Sequence, residues 1–152
     1  VHNLQYEFSF IRELFQWESV FNMDRRKPLF ARTVHGIEFR CSYLLSGMSL
    51  EKVGENLLFH DVSKKVGDID YSLIRHEKTP LTQKEIEYCV NDVLVVCAYI
   101  TERMRQDGDI TKLPLTKTGY VRQDCKRACY GTSHKTKQWK HYRELMKMLK
   151  IK

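Results

Sequence analysis

Residues 82–108 read TQKEIEYCVNDVLVVCAYITERMRQDG, and this stretch predicts the longest element of the fold. Thr82 and Glu85 have the spacing of a capping box, in which the two side chains close the start of a helix. Gly108 is typical of the position just past a helix C-terminus. An apolar stripe recurs at helical spacing between them: Ile86, Val90, Val93, Cys97, Ile100 and Met104. We therefore predict one helix that buries this stripe.

A second face of the predicted helix carries Tyr88 and Asp92, which lie one turn apart. A phenol beside a carboxylate suits a catalytic or metal-binding site, but a solvent-exposed helix face would show the same pair. Val95 and Tyr99 continue this face, so we expect another element to cover it. The spacing alone leaves both interpretations open.

The rest of the chain predicts a mixture of helices and strands. The remaining predicted elements are, in chain order, a helix over 4–18 with Asn3 as its N-cap, strands over 29–34 and 37–45, a short helix that begins at Ser49, an irregular stretch over 58–80, and helices over 119–129 and 136–150. The two predicted strands flank His35-Gly36, and apolar and polar side chains alternate along residues 37–45. This pattern predicts a β-hairpin with a two-residue turn. The first residues, Val1-His-Asn3, look like the end of a strand that enters a helix, so we expect a piece of a longer protein.

Charge is unevenly distributed along the 152 residues, whose formal net charge is +7. Residues 1–111 hold 14 Lys and Arg against 17 Asp and Glu, whereas residues 112–152 hold 12 against 2. Basic residues such as Lys117 and Arg122, interleaved with aromatic ones, suit a single-stranded nucleic acid. A solvated helical tail would have the same composition. No apolar run approaches the roughly 20 residues of a membrane span, so we expect no membrane partner.

The five cysteines are an odd number and predict a reduced, intracellular protein with structural thiols. Cys125, Cys129, His134 and His141 raise the question of zinc. Their spacing, C-x3-C-x4-H-x6-H, lacks the long insert that separates the Cys pair from the His pair in zinc fingers. We therefore do not expect a zinc site.

Three short motifs together resemble a known family. They are His2-Asn-Leu-Gln-Tyr-Glu7, Gly67-Asp-Ile-Asp-Tyr71 and Tyr88-Cys-Val-Asn-Asp92. In order and spacing they are similar to motifs of the 3′–5′ exonuclease domain of family B DNA polymerases, above all the protein-primed kind of bacteriophages and linear plasmids. Residues 113–122 resemble the passage toward the polymerase module, so the likeness covers residues 1 to about 125.

The resemblance implies an α/β fold of the ribonuclease H-like exonuclease type that lacks its first strands and is followed by a basic helical tail. Residues 1–110 would be a partial exonuclease domain, and residues 111–152 a basic helical segment leading toward the polymerase module. The family's first motif, Asp-x-Glu on a strand, is absent from these residues. In the family that motif lies upstream of the second motif.

The resemblance also implies residue roles. Asp92 would ligate a catalytic Mg²⁺ or Mn²⁺, Glu7 would take the place of the second-motif carboxylate, and Tyr88 would orient the attacking water. The residues expected to contact DNA are Asn3, Tyr6, Lys65, Lys117 and Arg122. The family has Asp where this chain has Glu7, which has one more methylene, and it has a Lys near Gly67, where Lys65 lies two places earlier.

The implied function is the proofreading region of a DNA polymerase, which hydrolyses phosphodiester bonds with two metal ions. Its partners would be the single-stranded 3′ end of DNA, the remainder of the polymerase chain and a terminal priming protein, in the cytoplasm of a bacterial host. The alternatives are a free-standing exonuclease of the same superfamily and a non-catalytic nucleic-acid-binding remnant. Without Asp-x-Glu, we expect this chain alone to hydrolyse DNA poorly or not at all.

Overall fold

The chain forms a mixed α/β structure with a small antiparallel sheet and several helices. The computed structural model describes residues 1–22, 24, 28–62, 72–76, 78–130 and 137–148. The chain divides into two compact units, an N-terminal unit, Val1–Leu115, and a C-terminal unit, Thr116–Lys152.

A three-stranded antiparallel sheet organises the first part of the N-terminal unit. Its strands are β1 (Trp17–Asn22), β2 (Pro28–Thr33) and β3 (Glu38–Arg40), in the spatial order β1-β2-β3. Ala31 in the central strand pairs with Val20 on one side and with Phe39 on the other. Ala31 is fully buried, as expected for a small residue at the centre of the sheet.

The predicted β-hairpin is confirmed, with two corrections. The Thr33 N–H donates to the Ile37 carbonyl at 2.9 Å, so the turn contains the three residues 34–36 rather than two. Gly36 has φ 83°, a left-handed conformation that glycine adopts without a steric penalty. The second strand ends at Arg40, and a short helix, α2 (Ser42–Ser46), replaces the rest of the predicted strand.

The predicted helix over residues 4–18 is wrong beyond its middle. The observed helix α1 is Leu4–Ile11, and β1 begins at Trp17. The Trp17 ring packs at 5.0 Å from Phe8 and 5.7 Å from Phe39, and its Nε1 donates to the Arg12 carbonyl at 2.8 Å. Strand pairing and aromatic packing therefore override the local helical pattern after Ile11.

The middle of the chain follows the prediction. Helix α3 (Leu50–Glu55) begins at Ser49, whose hydroxyl accepts a hydrogen bond from the Lys52 N–H at 3.4 Å. Within 58–80, the residues that the structure describes form neither helix nor strand. Helix α4 (Gln83–Asp107) has 25 residues, with the predicted Thr82 capping box at its start. Gly108 ends it with φ 84°.

The predicted burial of α4 is wrong, because five of the six residues of the apolar stripe are exposed, while Ile100 is half-buried. The exposed members of the stripe are Ile86 at 41%, Val90 at 52%, Val93 at 60% and Met104 at 37%, together with Cys97. The buried residues of α4 are instead Val95, Ala98, Tyr99 and Glu102. Apolar residues occupy more than one face of α4, so periodicity did not determine which face the neighbouring elements would cover.

The C-terminal unit contains the two helices that the sequence predicts in this region. Helix α5 is Lys117–Tyr130 and helix α6 is Lys137–Met148, and the two helices contact each other. Helix α5 begins two residues earlier and ends one residue later than predicted, and the described part of α6 lies within its predicted span, 136–150. No helix in the described part of the chain is long and apolar enough to cross a membrane.

Candidate functional site

The first candidate group lies at the start of α1. Asn3 holds the N-cap position in a left-handed conformation, φ 63° and ψ 62°, which Asn tolerates better than most residues. Its carbonyl accepts hydrogen bonds from the N–H groups of Tyr6 at 3.0 Å and Glu7 at 3.3 Å. Its side chain does not cap the helix. Asn3, Tyr6 and Glu7 therefore share one turn, as the motif predicts.

The position of α1 is fixed by Leu4, which is fully buried. The Leu4 N–H donates to the Sγ of the buried Cys41 at 3.3 Å, and α1 packs against β2. Tyr6 is 62% exposed and Glu7 is half-buried. Leu4 thus anchors the helix to the sheet side, while Tyr6 points toward solvent.

The second candidate group lies on α4. Tyr88 and Asp92 are both half-buried, and the Oδ1 atom of Asp92 is excluded from solvent. Val95 is 0% exposed and Tyr99 8% exposed on the same face, so the expectation that this face is covered is confirmed. Burial raises the pKa of the Tyr99 phenol. Tyr88 and Asp92 lie at the less buried end of a covered surface.

Glu102 is a buried carboxylate that the sequence pattern did not predict. It is 2% exposed, and its carboxylate accepts hydrogen bonds from three consecutive backbone N–H groups: Leu58 at 2.9 Å, Phe59 at 2.8 Å and His60 at 3.2 Å. The His60 Nδ1 atom lies 3.0 Å from the same carboxylate. We call this arrangement the Glu102 clamp. It fastens residues 58–60 to α4.

The clamp sets the protonation of Glu102. Burial raises the pKa of this carboxyl, but the hydrogen bonds from the Leu58 N–H, the His60 ring and the Phe59 and His60 N–H groups lower it more, to about 2. Glu102 is therefore ionised at neutral pH. A sequence signal did exist, because Glu102 continues the spacing of Tyr88, Val95 and Tyr99 along one face.

The remaining predicted site residues lie elsewhere. Lys65 and Gly67–Tyr71 lie outside the described residues. Lys117 and Arg122 are exposed on α5, in the C-terminal unit. Of the residues considered for zinc, Cys125 and Cys129 are exposed free thiols, and His141 lies 3.7 Å from Glu144. His134 also lies outside the described residues.

The expected metal site has two described carboxylates, Glu7 and Asp92, on different helices. Helix α1 packs against β2, whereas α4 packs against α3 and the 3₁₀ turn Ile110–Lys112. Hard carboxylate oxygens suit Mg²⁺ or Mn²⁺. Among the described residues, no group of three or more His, Cys, Asp or Glu side chains is arranged to hold a metal. The metal site at Glu7 and Asp92 therefore stays a prediction.

A cavity of about 320 Å³ lies in the N-terminal unit, apart from the predicted site residues. Its wall includes Arg40 and Cys41 near the end of β3, and Val96 and Ile100 from α4. Arg40 Nη1 donates to the Leu113 carbonyl at 3.2 Å and joins the two sides. No predicted catalytic residue lines this cavity.

Comparison with known proteins shows no family to which this chain belongs. No protein-family profile, no curated protein and no solved structure matches it.

Proposed function

We propose that this chain is the 3′–5′ exonuclease region of a family B DNA polymerase. The observation that carries the proposal is the placement of Tyr88 and Asp92 on the covered face of α4, with Asp92 Oδ1 excluded from solvent. A partly buried carboxylate is uncommon on an ordinary solvated helix face, because charged side chains are seldom taken out of water. Functional sites are where such placement is usual.

The start of α1 supports the same proposal. Tyr6, at 62% exposure, offers an aromatic ring to an unpaired base, and the exposed Asn3 offers an amide to the sugar or phosphate. In this proposal Glu7 and Asp92 would hold Mg²⁺ or Mn²⁺, and the ion would supply electrostatic stabilisation of negative charge on the scissile phosphate. Tyr88 orients the attacking water through its hydroxyl. The substrate is the 3′ end of a single DNA strand.

The ribonuclease H-like fold is part of the proposal, and the edge of β3 supports it. The Val1 amino group donates to the Arg40 carbonyl at 3.3 Å, and the Ser42 N–H donates to the Val1 carbonyl at 2.9 Å. These two bonds have the pattern of a parallel strand pair. A strand that leads into His2 would therefore run parallel to β3, as the proposed fold requires of the segment before the second motif.

Paramagnetic broadening of NMR signals by Mn²⁺ tests whether Glu7 and Asp92 form one metal site. Mn²⁺ bound by Asp92 and Glu7 should broaden amide signals around both residues together. Asp92→Asn should abolish this effect, whereas Glu87→Gln, which alters an exposed carboxylate on the same helix, should leave it unchanged. Broadening near Asp92 without broadening near Glu7 would contradict a shared site. No broadening near Asp92 would overturn the metal assignment.

Nucleotide release from a 3′-tailed oligonucleotide tests the chemistry. With two described carboxylates and no Asp-x-Glu motif, the chain should release nucleotides slowly or not at all, even with Mn²⁺. Robust release that Asp92→Ala abolishes would support the exonuclease and overturn the requirement for Asp-x-Glu. Robust release that Asp92→Ala leaves intact would overturn the proposed site.

A further inference from the structure

Helix α6 carries a row of three exposed cations: Lys140, Arg143 and Lys147. Their spacing places them along one side of the helix. None of the three forms an ion pair with a described residue. The acidic residue of α6, Glu144, has its Oε2 atom 3.7 Å from the Nδ1 atom of His141. We call these three residues the α6 basic row.

The aromatic residues of α6 have a different role, because they pack against α5. Trp139 and Tyr142 are half-buried and stacked, with ring centroids 5.5 Å apart. The Lys126 ammonium from α5 lies 5.4 Å from the Trp139 ring and 5.9 Å from the Tyr142 ring. Cation–π attraction of this kind holds α5 and α6 together. Lys126 and both rings are thus engaged inside the C-terminal unit.

We propose that the α6 basic row binds the phosphodiester backbone of nucleic acid without regard to base sequence or strandedness. At 1.5 Å per residue the row is about 10 Å long, which spans about three phosphates of one strand. The C-terminal unit holds 11 Lys and Arg against 2 Asp and Glu, so its charge complements a polyanion. This surface goes beyond the proposed exonuclease, because it needs neither Asp92 nor a 3′ end.

The packing of α6 favours nucleic acid over an anionic membrane. A basic amphipathic helix binds a membrane by inserting its apolar face. Here the aromatic part of that face, Trp139 and Tyr142, is packed against α5, which leaves only Leu145 and Met148 as exposed large apolar residues of the described part of α6. The same packing removes these rings from base stacking, which is the usual source of a preference for single strands. Contacts to phosphates remain as the source of affinity.

The test compares two variants of the 152-residue chain with equal net charge. One variant carries Lys140→Gln, Arg143→Gln and Lys147→Gln; the control carries Lys52→Gln, Lys78→Gln and Lys112→Gln, at exposed positions of the N-terminal unit. Both carry Asp92→Asn, so that the proposed exonuclease does not contribute. Fluorescence anisotropy measures binding to labelled single-stranded and duplex DNA of one sequence, over a range of salt concentrations.

Loss of the α6 basic row should weaken binding to both DNAs by about tenfold or more and reduce the salt slope by about 3. The control should bind like the chain with Asp92→Asn alone. Equal weakening by both variants would overturn the proposal, because net charge would then explain binding. Weakening confined to single strands would contradict backbone recognition. Binding to phosphatidylserine vesicles but not to DNA would assign the surface to membranes.

Discussion

The two faces of α4 differ in a way that their sequence does not suggest. One face carries the apolar residues Ile86, Val90 and Val93, yet it is exposed. The other carries Tyr88, Asp92 and Glu102 among its members, yet it is covered, and Glu102 is 2% exposed. The covered face also buries Val95, Ala98 and Tyr99, and the N–H groups of residues 58–60 give Glu102 the partners that a buried carboxylate needs. The partners available to each face of the helix therefore decide which face is buried. Hydrophobicity alone did not decide it.

The largest expected effect is the loss of the Glu102 clamp. Glu102→Ala removes the acceptor of three backbone N–H groups at a buried position and should destabilise the chain by about 3 kcal/mol. Glu87→Ala, at an exposed carboxylate of the same helix, should change stability by less than about 0.5 kcal/mol. Urea titration followed by circular dichroism measures both. Similar values for the two variants would mean that the covered face is not held by Glu102.

Acid should release the same clamp. Since the pKa of Glu102 is lowered to about 2 from its ordinary value of 4.5, its contribution to stability is complete above about pH 4.5 and is lost as the pH falls toward 2. Glu102→Gln should flatten this part of the pH dependence in urea titrations between pH 6 and pH 2. An unchanged acid slope in the variant would assign the dependence to other carboxyls with lowered pKa values, such as Asp109.

A matched pair of valines measures the two faces directly. Val95 is 0% exposed and Val93 is 60% exposed. Val95→Ala should destabilise the chain by about 2 kcal/mol, because it removes buried methyl groups and leaves a cavity. Val93→Ala should cost less than about 0.5 kcal/mol in the same urea titration. A comparable loss at Val93 would indicate that the apolar stripe is covered in solution.

The helix cap should give the smallest effect. The Thr82 hydroxyl accepts a hydrogen bond from the Glu85 N–H at 3.3 Å, and Thr82→Ala should cost about 1 kcal/mol. Thr101→Ala is the matched control, since the Thr101 hydroxyl donates to the Cys97 carbonyl, which the helix already engages. Hydrogen exchange of the amides at the start of α4 measures the local change. A larger effect at Thr101 would contradict the role of the cap.

Local signals predicted the parts of the fold that depend on near neighbours. Thr82 with Glu85 and the glycine at 108 gave the bounds of α4, and Gly36 gave the hairpin turn, because caps and turns are set by a few adjacent residues. Strand β1 was missed because Trp17 pairs with Thr33 across the sheet. The local apolar pattern around Trp17 favoured a helix instead.

The candidate site was predictable to the same limited extent. Spacing placed Tyr88 with Asp92, and Asn3 with Glu7, because each pair lies within two turns of one helix. Glu102 was missed as a buried group because its partners lie 42 to 44 residues away in the sequence. Whether a polar residue is buried depends on such distant donors, which periodicity does not reveal.

The hydrogen bond from Arg40 to the Leu113 carbonyl has a consequence for the order of events during synthesis. It joins residues 73 positions apart in the sequence. The bond at the end of β3 therefore cannot form until most of the N-terminal unit has left the ribosome. At roughly 5–20 residues per second, translation of that interval takes about 4 to 15 s. During this time Arg40 lacks the Leu113 carbonyl as a partner, and the cavity beside β3 lacks part of its wall.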